Sequence, residues 1–183
     1  YRDLGNLGGP MNNLFFTPEE RVGPTLGYHV YDRYRYNIDS LHFYNTRRAY
    51  SNFRYLLGSK AEQTASLSHT QNITPNWNVF AEYRKINSRG FYNSQRSNND
   101  NACITSNYKS PDKHYLLYVG AVYNKEQTDE NGGVVKEDQF AFDSTQYGDR
   151  RVLHTAYQDG GYSSQLLRSP VTNTLRDFTF LLQ

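Results

Sequence analysis

The stretch WNVFAEYRKIN, residues 77–87, alternates between apolar and polar side chains and decides the fold. Successive side chains of a β-strand point to opposite faces, so this alternation predicts a strand with two unlike surroundings. The apolar face carries Trp77, Val79, Ala81 and Tyr83. The other face carries Asn78, Glu82 and Arg84, and only Phe80 interrupts its polarity.

Segments of similar length on both sides of this stretch predict two hairpins. Their strands are residues 63–73 with 77–87, and residues 102–109 with 114–124. Thr74-Pro75-Asn76 closes the first hairpin, and residues 110–113 close the second. Long hydrophilic stretches follow each hairpin, at residues 88–101 and 125–173. Tight turns at one end of a sheet and long loops at the other are typical of an outer-membrane β-barrel, in which the turns face the periplasm.

The remaining segments bring the number of predicted strands to six or seven. Residues 49–57 and 175–183 alternate clearly, and residues 28–36 could form a further short strand. We therefore predict an all-β fold, an antiparallel up-and-down transmembrane β-barrel that is incomplete, because bacterial single-chain barrels begin at about eight strands. Residues 49–183 are expected to be the N-terminal strands of a longer barrel. Residues 1–48, rich in Gly, Asn and Pro, are expected to be a pre-barrel segment, either periplasmic or plug-like.

The composition excludes several classes of protein. Hydrophobic residues make up 37%, and the longest apolar run, residues 116–123, is far shorter than the ~20 residues of a transmembrane helix. Tyrosines (17) greatly outnumber tryptophans (1), which suits an interface between apolar surroundings and water. Cys103 is the single cysteine, so no disulfide framework exists. Residues 1–3 do not resemble a signal peptide, so we expect the sequence to be mature or trimmed at its start.

Several stretches resemble the "putative porin" family of Bacteroidota outer membranes. They are YRDLGNLGGP (residues 1–10), LFF (14–16), FYNTRRAY (43–50), SHTQNITPNWNVFAEYRKINSRGFYNSQ (68–95) and YNKEQTDENGG (123–133). The resemblance covers nearly all of residues 1–140. It implies a location in the bacterial outer membrane and a large single-chain barrel. It brings no catalytic motif that could be transferred to this chain.

The polar faces of the predicted strands supply the candidate pore lining. These residues are Arg54, Thr64, Ser66, Ser68, Thr70, Asn78, Glu82 and Arg84. Opposite charges inside a lumen would set a transverse field that selects solutes by charge. Alternatively, Glu82 and Arg84 pair with each other and only stabilise the wall.

Aromatic residues near the strand ends are the candidate interface girdle: Trp77, Tyr83, Tyr108, Tyr115 and Tyr123. The alternative for these rings is the core of a soluble sheet.

Other candidate sites are weaker. Arginines and tyrosines interleave in residues 31–36 and at Arg47-Arg48, a pattern that can bind single-stranded nucleic acid. The net charge of only +2 favours lipopolysaccharide phosphates or pairing within a plug instead, and no nucleic-acid partner is expected. The histidines, at positions 29, 42, 69, 114 and 154, lack metal-ligand spacing. Residues 129–133 lack the carboxylate spacing of a calcium loop. We expect no metal, no cofactor and no catalysis.

Three functions fit these observations. The first is a porin-like channel for passive diffusion of small hydrophilic solutes. The second is a non-conducting barrel subunit of a larger outer-membrane complex, with other outer-membrane or periplasmic proteins as partners. The third is a soluble secreted β-sandwich that binds glycans through Tyr-rich loops. Outer-membrane lipid and lipopolysaccharide are the expected surroundings for the first two.

Overall fold

The computed structural model describes residues 2–3, 5–15, 18, 29–92, 94–134, 153–157 and 171–183. Arg2–Asp3 (β1) and Met11–Asn12 (β2) form a small antiparallel pair. The main sheet consists of β3 (Tyr50–Leu57), β4 (Gln63–Thr74), β5 (Trp77–Ser88), β6 (Ser97–Lys109), β7 (Leu116–Glu130) and β8 (Val171–Leu182). Two short 3₁₀ helices cover Ile38–Ser40 and Ser59–Ala61. None of the helices among these residues is long and apolar enough to cross a membrane.

The main sheet confirms the predicted fold class. Its six strands pair in sequence order, β3-β4-β5-β6-β7-β8, and every pairing is antiparallel. Among the described residues the sheet is not closed, because β3 and β8 form its two edges. It is therefore an up-and-down wall of an incomplete barrel.

The connections distinguish the two ends of the sheet. Residues 75–76 and 110–115 connect strands at one end, which we call the turn end. Residues 58–62, 89–96 and 131–170 connect strands at the other, which we call the loop end. The tight–long alternation predicted from the sequence is thus present, although part of the last connection, residues 135–152 and 158–170, lies outside the described residues.

Three strands are longer than predicted. β6 begins at Ser97 rather than Ala102, β7 continues to Glu130 rather than Asn124, and β8 begins at Val171 rather than Leu175. Apart from Val171 these extensions are polar on both faces, so hydrophobic alternation does not reveal them. The predicted loops 88–101 and 125–173 are correspondingly shorter.

The possible strand at residues 28–36 is wrong for its described part, residues 29–36. These residues form turns, in which the Tyr34 amide donates to the Tyr31 carbonyl at 2.8 Å. Tyr31 and Tyr34 are both buried against Ile86 of β5. The rings of Tyr31 and Tyr34 therefore both contact the same face of the sheet. In a strand, residues three positions apart would point to opposite faces.

Residues 5–12 and 29–46, which we call the N-terminal segment, cover one face of the sheet. We call this the inner face. Buried residues form two small clusters beneath the segment: Tyr31, Tyr34 and Ile86 in one, and Phe80, Cys103 and Val122 in the other. Phe80, which interrupts the polar face of β5, packs in the second cluster and lies 4.6 Å from the Tyr44 ring. The opposite face, which we call the outer face, exposes large apolar side chains.

Candidate functional site

All eight candidate pore-lining residues lie on the inner face. The strand register aligns Arg54, Ser66 and Arg84 in one row across β3, β4 and β5. The same register places the other five, Thr64, Ser68, Thr70, Asn78 and Glu82, on that face. Their assignment to a pore stays a prediction, but the sheet brings them together on a single surface.

Side-chain amides and hydroxyls of the inner face bind the backbone of the N-terminal segment. Near the loop end, Ser97 Oγ donates to the Leu7 carbonyl, and Asn99 Nδ2 donates to the Gly8 carbonyl at 3.0 Å. Both of these polar residues are fully buried. An irregular segment has no ladder of its own, so these bonds satisfy its buried carbonyls.

Asn101, Asn124 and Arg84 bind the middle of the N-terminal segment. Asn124 accepts from the Tyr36 amide and donates to the Tyr36 carbonyl, both at 2.9 Å. Asn101 Nδ2 and the Arg84 guanidinium both donate to the Tyr34 carbonyl. Asn124 therefore binds Tyr36 as a neighbouring β-strand would, through both groups of its backbone.

The last part of the segment reaches the turn end. Thr105 Oγ1 donates to the His42 carbonyl at 2.9 Å. The Thr46 amide donates to Asn72 Oδ1 at 3.1 Å, and Asn72 also accepts from the buried Asn78 at 2.6 Å. The segment thus crosses the inner face from the loop end to the turn end.

Charges on the inner face also pair with the segment. Arg35 Nη2 lies 2.7 Å from Asp177 Oδ1, and Arg35 Nε lies 3.9 Å from Glu126 Oε2. Glu126 is only 1% exposed, and Arg35 is the cation that forms an ion pair with it among the described residues. Burial also raises the pKa of Tyr36 above its usual range, so its hydroxyl is neutral.

Arg84 does not pair with Glu82 among the described residues. Its guanidinium instead lies 4.7 Å from the centre of the Tyr36 ring, besides donating to Tyr34. This contact is a cation–π interaction with the N-terminal segment.

The outer face carries an apolar band that only Ser51, His69, Gln71 and Ser106 interrupt. One row across the sheet consists of Phe53, Leu67, Tyr83, Ala102, Tyr123 and Phe178. Nearer the turn end a parallel row contains Trp77, Tyr108 and Leu117. Six residue steps along a strand separate Trp77 from Tyr83, which is about 20 Å at about 3.4 Å per residue. Because the strands of outer-membrane barrels are tilted by about 35–45°, this length corresponds to a height of about 15 Å, which fits within their ~25 Å apolar band.

Four of the five candidate girdle residues lie at the borders of this band. Trp77 and Tyr108 are at its turn-end border, where Trp77 Nε1 donates to Ser106 Oγ at 2.9 Å. Tyr83 and Tyr123 are in the row nearest the loop end. Tyr115 lies in the turn before β7 and is 74% exposed. Their contact with a lipid interface stays a prediction.

Comparison with known families now identifies the chain. The model of the family described as "putative porin" matches residues 1–174 of its 183 residues. The chain belongs to the "putative porin" family. No curated protein and no solved structure is significantly similar to it. Membership points to a porin-like outer-membrane protein.

Sequence reasoning missed several residues with which this porin-family protein holds its N-terminal segment. They are Ser97, Asn99, Asn101, Asn124, Glu126 and Asp177 on the sheet, and Arg35 on the segment. The run SNNDN at residues 97–101 looked like loop because it contains no apolar residue. The signal that could have found it is the placement of amides at alternate positions, Asn99 and Asn101, which continues the inner face of β6.

A polar cavity of about 480 Å³ opens at the turn end of the sheet. Asn45, Asn72, Asn76 and Asn107 are among its lining residues, together with the ring of Tyr118. No group of His, Cys, Asp and Glu side chains in the described part of the chain could hold a metal ion. The described inner face thus presents mainly amides and hydroxyls, with a few charges.

Proposed function

We propose that this protein is a porin-like channel of the bacterial outer membrane, through which small hydrophilic solutes diffuse passively. The observation that carries the proposal is the opposite polarity of the two sheet faces. The outer face exposes apolar residues such as Phe53 and Phe180, each 69% exposed. The inner face presents amides and hydroxyls. Strands of outer-membrane barrels alternate in this way between lipid and lumen.

The same observation argues against a soluble glycan-binding sandwich. A β-sandwich packs the apolar faces of two sheets against each other. Here the N-terminal segment covers the polar face, and the described residues leave the apolar face exposed. A large exposed apolar surface calls for lipid or a partner protein to cover it.

In the proposed channel the N-terminal segment narrows the lumen. It contacts the inner face at Leu7, at Tyr36 and at Thr46, from the loop end to the turn end. Hydrophilic solutes would pass between this segment and the rest of the wall. The lining residues of the wall, such as Arg54, would act on their charge.

A second candidate follows from the same contacts. If the segment fills the lumen, the protein is a non-conducting barrel that serves as a subunit of a larger outer-membrane complex. The many backbone bonds that the segment receives from Asn99, Asn101 and Asn124 favour this candidate.

Planar-bilayer recordings on the full-length protein distinguish the two candidates. The informative variant is Asn101→Ala/Asn124→Ala, which removes the hydrogen bonds to Tyr34 and Tyr36. The matched control is Asn98→Ala/Gln127→Ala, since these two residues pair on the outer face of the same strands.

A channel predicts conductance steps for the wild type and larger steps for the Asn101/Asn124 variant. The control should conduct like the wild type. A silent wild type with a conducting Asn101/Asn124 variant would support the second candidate, a non-conducting barrel whose lumen is filled by the N-terminal segment. Silence of all three proteins would exclude the channel.

A further inference from the structure

A row of charged residues crosses the outer face directly beyond the apolar band. The register aligns Lys85, Asp100, Lys125 and Arg176 on β5, β6, β7 and β8. The adjacent row toward the turn end contains Tyr83, Tyr123 and Phe178. The charged row therefore marks the border of the apolar band on the side of the loop end.

The charges in this row do not balance. Asp100 Oδ1 accepts from Lys85 Nζ at 2.6 Å and from the Tyr83 hydroxyl at 2.7 Å, so its carboxylate is committed to these two partners. Within the described part of the chain, Lys125 and Arg176 form no ion pair. One carboxylate thus faces three cations, and the uncompensated charge lies on β7 and β8.

We propose that this row binds the phosphate groups of lipid A, the phosphorylated glycolipid of the outer leaflet, while its acyl chains lie along the apolar band. The inference rests on the proposed outer-membrane barrel, because only there does the loop end face the outer leaflet. Neighbouring strands are about 4.8 Å apart, so the row from Lys85 to Arg176 spans about 14 Å. Arg176 can hold a phosphate through two parallel hydrogen bonds, and Lys125 adds a second positive charge.

The rings beneath the row suit this ligand. Tyr83 and Tyr123 lie one row below the cations, at the depth where amphipathic rings meet lipid headgroups. The apolar side chains of Phe178 and Phe180 continue downward on β8 and are exposed. A phosphorylated headgroup bearing several acyl chains therefore matches both the charge and the apolar surface below it.

Two of the other arginines considered for lipopolysaccharide phosphate, Arg47 and Arg48, lie at the opposite end of the sheet. Arg47 and Arg48 follow Thr46, which contacts Asn72 at the turn end. In an outer-membrane barrel this end faces the periplasm, away from the outer leaflet. They therefore supply a matched control.

The test uses the full-length protein in detergent micelles and measures its affinity for four probes. The probes are lipid A, lipid A without its phosphates, phosphatidylglycerol and inorganic phosphate. Lys125→Ala/Arg176→Ala should weaken lipid A binding about thirtyfold, as expected from two basic residues near a membrane surface. Its affinity for dephosphorylated lipid A should not change. Arg47→Ala/Arg48→Ala, which removes the same charge, should bind lipid A like the wild type.

A second variant should increase the affinity of the charged row for lipid A instead of lowering it. Asp100→Asn removes the carboxylate that neutralises Lys85, so it should raise the affinity for lipid A several-fold. This gain does not depend on whether the double variant folds.

Three results with the variants would overturn the inference. They are an unchanged affinity of the Lys125/Arg176 variant for lipid A, an equal loss in the Arg47/Arg48 variant, and an equal loss for phosphatidylglycerol. Binding of inorganic phosphate as tight as that of lipid A would also overturn it. The mobility shift of a folded barrel on unheated gels separates the two proposals. Without that shift in the wild type the proposed function fails, whereas with it a negative binding result removes only the lipid A site.

Discussion

Gly120 lies in the middle of β7, beneath the side chain of Leu41 from the N-terminal segment. A Cβ at this position would lie 2.6 Å from Leu41 Cδ1, which is closer than two non-bonded carbon atoms can approach. Glycine in the interior of a strand usually weakens it or marks a close approach of another group. At residue 120 the close approach is that of Leu41, so the glycine marks the position at which the N-terminal segment packs against β7.

The first prediction concerns this contact. Gly120→Ala should lower the free energy of unfolding by about 1 kcal/mol, the low end of the cost of overpacking, because the clashing atom is the tip of the Leu41 side chain, which can move. Leu41→Ala removes the clashing methyl groups, so Gly120→Ala should cost much less in that background. Urea unfolding in micelles of the wild type, both single variants and the double variant measures the coupling. An equal cost of Gly120→Ala in both backgrounds would show that Leu41 does not pack there.

Arg35 shows how one segment residue links two strands. It contacts Asp177 of β8 and the buried Glu126 of β7. Removing one member of a buried pair leaves an uncompensated charge, whereas removing both members can be nearly neutral.

The second prediction follows from this asymmetry. Arg35→Gln should destabilise the fold by about 1–2 kcal/mol, less than for a fully buried pair, because Arg35 is partly exposed and the buried Glu126 can take up a proton. Arg35→Gln/Glu126→Gln should recover a large part of that loss. Thermal unfolding in detergent measures both variants. A double variant that is no more stable than Arg35→Gln would contradict the pairing of Arg35 with Glu126.

At the scale of single elements, the strands show what alternation can and cannot predict. The predicted bounds of β4 and β5 agree almost completely with the structure, because Ala65 and Leu67 in β4 and the apolar face of β5 alternate with polar residues. The first residues of β6, from Ser97 to Asn101, were missed. Their inner side chains are buried by hydrogen bonds to Leu7, Gly8 and Tyr34 rather than by apolar packing. Pairing that depends on such bonds leaves no hydrophobic period in the sequence.

The third prediction tests which face of these strands meets lipid. Ala121 lies on the outer face, in the central part of the apolar band, and Ser68 lies on the inner face. Ala121→Arg should cost about 2–4 kcal/mol, as found for arginine at the midplane of a barrel, whereas Ser68→Arg should be tolerated. The fraction of full-length protein that folds into lipid vesicles, read from gel mobility, compares the two. A better yield for Ala121→Arg than for Ser68→Arg would reverse the assignment of the faces.

In the whole molecule, a charged side chain has different surroundings on the inner face and on the outer face of the sheet. Arg54 projects from the inner face, in the row that also holds Arg84 and Asp177. Gln127 projects from the outer face near the loop end. In a channel only the first position lies beside passing ions.

The fourth prediction uses this difference. Arg54→Ser removes one positive charge from the proposed lumen and should raise the cation-to-anion permeability ratio about two- to fourfold, as expected for one charge about 10 Å away in water. Gln127→Glu changes the net charge equally but from the outer face, and should leave the ratio unchanged. Reversal potentials in a salt gradient measure both. A similar shift in the two variants would place Arg54 outside the conducting path.

The sequence by itself determined the all-β class, the antiparallel order of the strands, the tight and long connections and the face on which each predicted lining residue lies. These follow from local patterns, because side-chain alternation and turn residues act between neighbours in the chain. Only the tertiary structure decided where the N-terminal segment lies, since contacts such as Tyr36 with Asn124 join residues 88 positions apart. The charged row of Lys85, Asp100, Lys125 and Arg176 was likewise set by register between strands. Strand pairing brings these residues side by side, although the distances between them in the sequence follow no regular period.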